Sequence, residues 1–244
     1  MLSKNQIKLI KSLAQKKYRQ QLGLFVVEGI KGIEEFLKSD VKLESLYTTK
    51  SIFDAPENKI IEISEAGLKK ISSLKNPNTA LAIFEIPKPV EINSNGLVIA
   101  LDDVRDPGNL GTIIRLCDWF GVKNVICSKN TVDCYNSKVV QATMGSLTRV
   151  NIAYLDLVDF ISNSKTDTFG AFMNGENIYK TDLPQEGIIV LGNEANGISK
   201  TLEHSVNRKL SIPQFGENGK TESLNVANAT AIILSEFRRQ SIEM

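Results

Sequence analysis

The side chains with chemical potential cluster in three short stretches of the second half of this chain. In the first, Asp106-Pro107-Gly108-Asn109-Leu110-Gly111 leads on to Arg115. Asn109 and Arg115 then stand within about two turns at the opening of one helix. A guanidinium near a helix N-terminus suits recognition of a phosphate or carboxylate, and a surface ion pair with Asp118 or Asp106 is the competing reading. The second stretch, Gly192-Asn193-Glu194-Ala195-Asn196-Gly197, holds one carboxylate in a glycine-flanked turn. In the third, Ser223-Leu224-Asn225-Val226-Ala227 opens the final helix, where Ser223 and Asn225 read equally well as helix caps or as site residues. The sole histidine, His204, lies in the polar segment Lys200-Thr201-Leu202-Glu203-His204, read as a solvated helical surface. One copy cannot build a metal-histidine cluster, so any chemistry here runs without histidine. Cys117, Cys127 and Cys134 form no C-x-x-C pair, which argues against zinc and a disulfide framework and fits a reducing, cytoplasmic setting.

Each stretch needs an element to position it. Leu97-Val98-Ile99-Ala100-Leu101 and Gly187-Ile188-Ile189-Val190-Leu191 are short apolar runs of buried parallel strands, and a third strand runs into Ile212-Pro213. In an open α/β sheet, such strand-to-helix turns gather at the carboxyl edge, where ligands bind. Further strands are expected at residues 124–127, 149–152 and 169–172, with helices from about Ser137 and Leu157. In the final helix Val226, Ile233 and Phe237 share one face and Ala227, Ala231 and Leu234 a neighbouring one, an arc that this chain or a second copy must cover.

The first half reads as a smaller α/β unit. Ile7, Ile10 and Leu13 predict a helix over residues 3–16, followed by a strand at 24–27 and a helix from Glu28 to about Leu37. Strands follow at 43–47, 60–63 and 80–86, with a helix at 65–74. The segment from Pro87 to Gly96, rich in proline and polar residues, marks the boundary between domains at 1–92 and 96–244.

With 244 residues, 42% of them apolar, the chain can bury one or two cores. Its net charge of +1 announces no polyanion partner, but the distribution is uneven. Residues 1–92 carry 15 Lys or Arg against 11 Asp or Glu, and no acid precedes Glu28. That basic start reads as an RNA-facing surface, as a solvated helix face, or as a presequence; it runs straight into folded sequence. No apolar run approaches the roughly 18 residues of a membrane span, and the start lacks a signal-peptide core. Gly108-Asn109-Leu110-Gly111 is not a dinucleotide fingerprint, and Gly219-Lys220-Thr221 lacks the glycine of a P-loop, since Gln214 stands in its place. Asn228-Ala229-Thr230 matches a glycosylation sequon but lies inside an apolar helix.

Together the three stretches, the last leading into Glu236-Phe237-Arg238-Arg239-Gln240, resemble the SpoU (TrmH) family of RNA ribose 2′-O-methyltransferases, in the SPOUT superfamily. The resemblance covers residues 96–244. A looser one, through Lys17-Tyr18-Arg19 and Leu24-Phe25-Val26-Val27-Glu28-Gly29, links the first part to the family's ribosomal-protein L30e-like substrate-binding domain. The resemblance implies a trefoil-knotted, mostly parallel α/β catalytic domain, a homodimer, and no metal. It implies S-adenosylmethionine held by backbone at Gly192, Ile212 and Leu224. It assigns Asn109, Arg115, Glu194, Ser223 and Asn225 to the catalytic site, with Arg115 either activating the ribose hydroxyl or holding an RNA phosphate. Lys17 and Arg19 become expected RNA contacts. Ribosomal RNA is the expected substrate and transfer RNA the alternative. A catalytically silent RNA-assembly factor and a nucleotide-binding enzyme on an ordinary dinucleotide fold are the rival classes.

Overall fold

The computed structural model describes residues 2–92, 95–216 and 223–242, which divide into two compact units. The first comprises residues 1–88 with residues 133–148, and the second residues 89–132 with residues 149–244. Packing adds what the sequence reading did not: residues 133–148 join the first unit although they interrupt the second.

The first unit is a four-stranded sheet in the order β1-β4-β2-β3, formed by β1 (Leu24–Glu28), β2 (Leu43–Thr48), β3 (Ile60–Glu62) and β4 (Ala80–Glu85). β4 runs antiparallel to both its neighbours, while β3 is parallel to β2. On one face Ile10 and Leu13, from α1 (Lys4–Ser12) and its C-terminus, pack with Leu68 and Ile71 of α4 (Glu65–Ile71) against Tyr47, Leu81 and Ile83. On the other, Phe36 of α3 (Ile30–Leu37) meets Phe25 and Phe84, and Tyr135 stacks against Phe25 with centroids 4.8 Å apart. Alternation along β1 places Phe25 and Val26 on opposite faces, as a strand requires. α6 (Ser137–Thr143) packs on β1, and this is why residues 133–148 belong here.

The helix expected over residues 3–16 is two helices, α1 and α2 (Lys16–Leu22). A helix end leaves carbonyls without intrahelical partners. Here the Arg19 guanidinium fills that need, Nη1 donating to the carbonyls of Leu13 (2.8 Å) and Ala14 (2.9 Å). Gly23, at φ 65°, closes α2 in the left-handed conformation that glycine adopts without strain.

The second unit is a parallel six-stranded sheet in the order β10-β8-β9-β5-β6-β7. Its strands are β5 (Leu97–Leu101), β6 (Asn124–Cys127), β7 (Asn151–Tyr154), β8 (Thr168–Asn177), β9 (Gly187–Leu191) and β10 (Arg208–Ser211). β7 starts two residues later than expected, with Arg149 turned out to pair with Asp118, and β8 runs well past Phe172. On one face α7 (Leu157–Asn163) and the short α8 (Lys200–Glu203) cover Val98, Ala100, Ile188 and Val190. α5 (Pro107–Trp119) packs against α9 (Val226–Ile242).

α9 is tied in at its far end. Arg238 Nε donates to the Phe120 carbonyl beyond α5 (2.8 Å), Gln240 Nε2 to the Thr181 carbonyl (2.9 Å), and Gln240 Oε1 accepts from Leu183 N (2.8 Å). Phe237 is fully buried edge-on against Phe169, so much of the helix's apolar arc is covered by this chain itself.

Strand order explains what the second unit positions. From β5 the chain builds outward through β6 and β7, then returns to the other side of β5 to lay down β8, β9 and β10. The carboxyl ends of β5 and β9 therefore flank the point where the winding reverses, the crevice in which open α/β sheets bind ligands.

Candidate functional site

Three turns open at that carboxyl edge. After β5, Asp102 N donates to the Leu191 carbonyl (2.9 Å), while its carboxylate accepts from Ser199 N (2.8 Å). Asp103 follows with φ 59°, a left-handed conformation uncommon outside glycine, though aspartate tolerates it better than most. Asp106 caps α5, accepting from Asn109 N at 2.8 Å, and Pro107 occupies the first helical position, where a missing N–H leaves nothing unsatisfied.

The turn after β9 is closed by reciprocal backbone hydrogen bonds between Asn193 and Gly197, both 2.9 Å, with Gly197 at φ 67°. Asn193 fastens it in both directions. Its Oδ1 accepts from Ala195 N (2.9 Å) and Asn196 N (3.2 Å), and its Nδ2 donates to the Asp103 carbonyl (2.7 Å). Glu194 is thereby held outward at the tip.

The third turn ends at Asn225, whose Oδ1 accepts from Ala227 N (2.9 Å) and Asn228 N (3.3 Å), so Asn225 rather than Ser223 caps α9. The cap uses only its oxygen. Asn225 Nδ2 donates to Asn109 Oδ1 (2.9 Å), and Asn109 Nδ2 donates to Glu194 Oε1 (2.8 Å). One chain of hydrogen bonds thus runs through all three turns, and Asn225 joins it through its nitrogen while its oxygen caps α9. Because the Asn109 amide donates to a carboxylate at one end and accepts from an amide at the other, its orientation is determined by its partners.

Of the other expected site residues, Arg115 lies exposed on α5, outside this hydrogen-bonded chain. Neither surface pairing foreseen for it forms, because Asp118 is paired with Arg149 and the Asp106 carboxylate caps the helix. Ser223 is exposed and takes no part in the chain.

Gly192, Ile212 and Leu224 lie just beyond β9, just beyond β10 and before α9. Among the described residues their backbone N–H and C=O groups have no backbone partner. Gly192 also admits no side chain, since a Cβ there would lie 2.1 Å from the Gly197 carbonyl carbon. Uncommitted donors and acceptors beside apolar surface, with Leu224 48% exposed, fit a nucleoside that is gripped through backbone. The chemistry of the site therefore suits the adenosyl group expected there. Among the described residues no cluster of His, Cys, Asp or Glu could hold a metal ion, and no helix is long and apolar enough to cross a membrane.

One expectation is corrected. Arg19 is only 2% exposed, and beyond its two carbonyl acceptors it donates Nε to Asp133 Oδ2 (3.0 Å) and Nη2 to the same oxygen. It is a structural cation joining residues 133–148 to the first unit, and, buried there, it offers RNA no surface. Lys17, on the same helix, is exposed. Conversely, reading the sequence passed over Asn193 and Asp103 as positioning residues. The signal for Asn193 was an asparagine two residues beyond a buried strand, the type that bonds its own turn backbone.

Comparison with known proteins places the fold and the family. A TrmH-family RNA methyltransferase assignment attaches to a Porphyromonas gingivalis structure that superposes with a TM-score of 0.90 at 38% identity, over 98% of this chain and 99% of that one. An AdoMet-bound rRNA methyltransferase from Sinorhizobium meliloti gives 0.85 at 30% identity, over 98% and 96%. The Bacillus subtilis 23S rRNA (guanosine(2553)-2′-O)-methyltransferase RlmP is 29% identical over 97% of both chains. Residues 4–82 match the MRM3-like substrate binding domain. Residues 96–235, which contain all three turns, match the SpoU rRNA methylase model, and the chain belongs to that family.

Proposed function

We propose that this chain methylates the 2′-hydroxyl of a ribose in structured RNA, ribosomal RNA in the first instance, using S-adenosylmethionine. The observation that carries this reading is the hydrogen-bonded chain Asn225–Asn109–Glu194, which draws three turns distant in sequence to one crevice beside uncommitted backbone at Gly192, Ile212 and Leu224. When bound, the cofactor supplies an electrophilic methyl group on a sulfonium. The bond that forms is oxygen to methyl carbon, the bond that breaks is sulfur to methyl carbon, and the ribose hydroxyl loses its proton.

The residues of the chain position and polarise. Backbone at the three turns orients the adenosyl group, and the linked amides of Asn109 and Asn225 with Glu194 keep those turns in register. Holding two reactants in line can supply roughly 7–11 kcal/mol of the barrier. Arg115 carries a guanidinium, which offers donors and no acceptor and is therefore a poor base. It holds an RNA phosphate and favours negative charge on the attacking oxygen, and the proton departs to phosphate or water.

The trefoil knot, the homodimer and a cytoplasmic setting belong to the same proposal. Trp119 is 84% exposed on α5, four residues beyond Arg115 on the same face, and a second copy covering that face would bring Arg115 into the paired assembly. Lys17 and the other basic residues of α1 and α2 contribute sequence-independent attraction for RNA.

The test is methyl transfer from labelled S-adenosylmethionine into unmodified ribosomal and transfer RNA, with ribose methylation mapped in cells with and without the protein. A single ribose in ribosomal RNA that loses its mark is the expected result. Marks lost from transfer RNA alone would transfer the proposal to that substrate, and RNA binding without methyl transfer would replace it by the assembly-factor reading.

A further inference from the structure

We propose that Arg105 is an RNA phosphate clip at the mouth of the site, a role that rests on the methyltransferase reading above. Arg105 lies in the turn between β5 and α5, four residues before Asn109, with its side chain 70% exposed. Its Nε and Nη2 donate to Asp103 Oδ1 (2.8 Å) and Oδ2 (2.9 Å), fork to fork. An ion pair between two exposed side chains ordinarily holds neither in place. Here the acceptor is fixed on every side. Asp103 carries the left-handed backbone at φ 59°, its N–H donates to Ser128 Oγ (2.9 Å), and its carbonyl accepts from Asn193 Nδ2 (2.7 Å).

A guanidinium has five N–H donors in a rigid plane, and this grip uses only those on one edge. The remaining donors, on a side chain that is largely exposed, are available to a second planar or tetrahedral oxyanion. Its position is at the site: the Asp103 that it grips is tied through its carbonyl to Asn193 of the turn that carries Glu194, and the Arg105 pKa is raised, first by the hydrogen bond to Asp103 and least by the charge of Glu194.

Charge gives the clip a purpose. The turns after β5 and β9 carry Asp102, Asp103, Asp106 and Glu194, and a polyanion approaching four carboxylates is repelled. Each has an oxygen engaged, Asp102 by Ser199 N, Asp106 by Asn109 N, Glu194 by Asn109 Nδ2 and Asp103 by Arg105 itself. Arg105 converts the most anionic part of the turn into a donor surface. A phosphate held there would place the adjoining sugar toward Asn109 without reading the base, which is the contact type that sets register rather than sequence.

The experiment compares wild type, Arg105→Gln and Arg105→Lys as full-length proteins, with unmodified 23S ribosomal RNA transcript as the probe. RNA affinity is measured over a salt series, KM and kcat for methyl transfer are separated, and S-adenosylmethionine binding is followed by calorimetry. Arg105→Gln should weaken RNA binding roughly tenfold and reduce the slope of log affinity against log salt by about one. The loss should fall on KM for RNA, with cofactor affinity and melting unchanged, and Arg105→Lys should lie between. An active wild type with RNA affinity and salt slope unmoved in Arg105→Gln overturns the clip alone. Lost cofactor binding at unchanged RNA affinity would make Arg105 a brace for the loop, which also overturns it. A wild type that neither binds nor methylates ribosomal or transfer RNA removes the underlying reading and the clip with it.

Discussion

Asn109→Asp is the sharpest perturbation of the linked turns, because it exchanges one atom. The new carboxylate still accepts from Asn225 Nδ2 but sets an oxygen where Nδ2 stood, 2.8 Å from Glu194 Oε1. A hydrogen bond to a charged group, worth roughly 1.5–3 kcal/mol, is lost. Two like charges at that separation add roughly 1.5 kcal/mol of repulsion even with the full screening of water. Glu194 is exposed and free to turn away, so only part of this is felt; about 2 kcal/mol, or roughly thirtyfold in kcat/KM, is expected. The fold should not suffer, since Asn109 is the third residue of α5 and an acid in a first helical turn is favourable.

The companion change Glu194→Gln supplies the rescue. Alone it leaves a neutral hydrogen bond and should lower activity about threefold. Combined with Asn109→Asp it inverts the pair: the amide introduced at position 194 donates to the carboxylate introduced at position 109. Activity should then return to within about threefold of wild type, a strongly non-additive double-mutant cycle. The assay is single-turnover transfer of labelled methyl into unmodified ribosomal RNA, with calorimetric cofactor binding alongside. If the two losses simply multiply, the Asn109–Glu194 contact is not part of the working site and the reasoning fails.

Other expectations can be checked on the same preparation. Arg115→Ala should leave cofactor binding intact and abolish methyl transfer, and retained turnover would remove Arg115 from the mechanism. Gly192→Ala places a methyl 2.1 Å from the Gly197 backbone, so calorimetry should show cofactor binding lost while far-UV circular dichroism stays native. Asp133→Ala strands the buried Arg19 charge and should destabilise the protein by about 3–5 kcal/mol in urea titration, leaving the salt dependence of RNA binding as it was. Glu236 is held below its usual value of 4.5, first by the hydrogen bond from Arg239. A depressed carboxylate stabilises the fold above its unfolded pKa and ceases to do so as pH falls through the folded one. The stability gap between wild type and Glu236→Gln should therefore be full at pH 7 and shrink below about pH 4.5, and a gap independent of pH would contradict it.

Much of this was written in local patterns. Runs such as Leu97–Leu101 and Gly187–Leu191 are typical of buried parallel strands, and the polar turns that follow such strands lie at one edge of the sheet, because strand direction fixes which end is which. That is why Asn109 with Arg115, Glu194, and Ser223 with Asn225 could be read as the polar residues of three turns at one edge; that only Asn109, Glu194 and Asn225 are joined by hydrogen bonds was not legible there.

What the chain order could not reveal is how each side chain spends its hydrogen-bonding capacity. Arg19 and Lys17 are neighbours of the same charge in an acid-free stretch, yet one is buried against Asp133, 114 positions away, and the other faces solvent. A helix expected to run unbroken to residue 16 stops at Ser12, and that same guanidinium takes the Leu13 and Ala14 carbonyls just beyond it. Asn225 was ambiguous between cap and site because the two readings draw on different atoms of one amide, the oxygen that caps α9 and the nitrogen that reaches Asn109, a distinction that exists only once Asn109 is beside it. Local periodicity specifies elements and their faces. Long-range partners decide which polar groups are consumed in holding the fold and which are left over for chemistry, and only the tertiary structure brings those partners together.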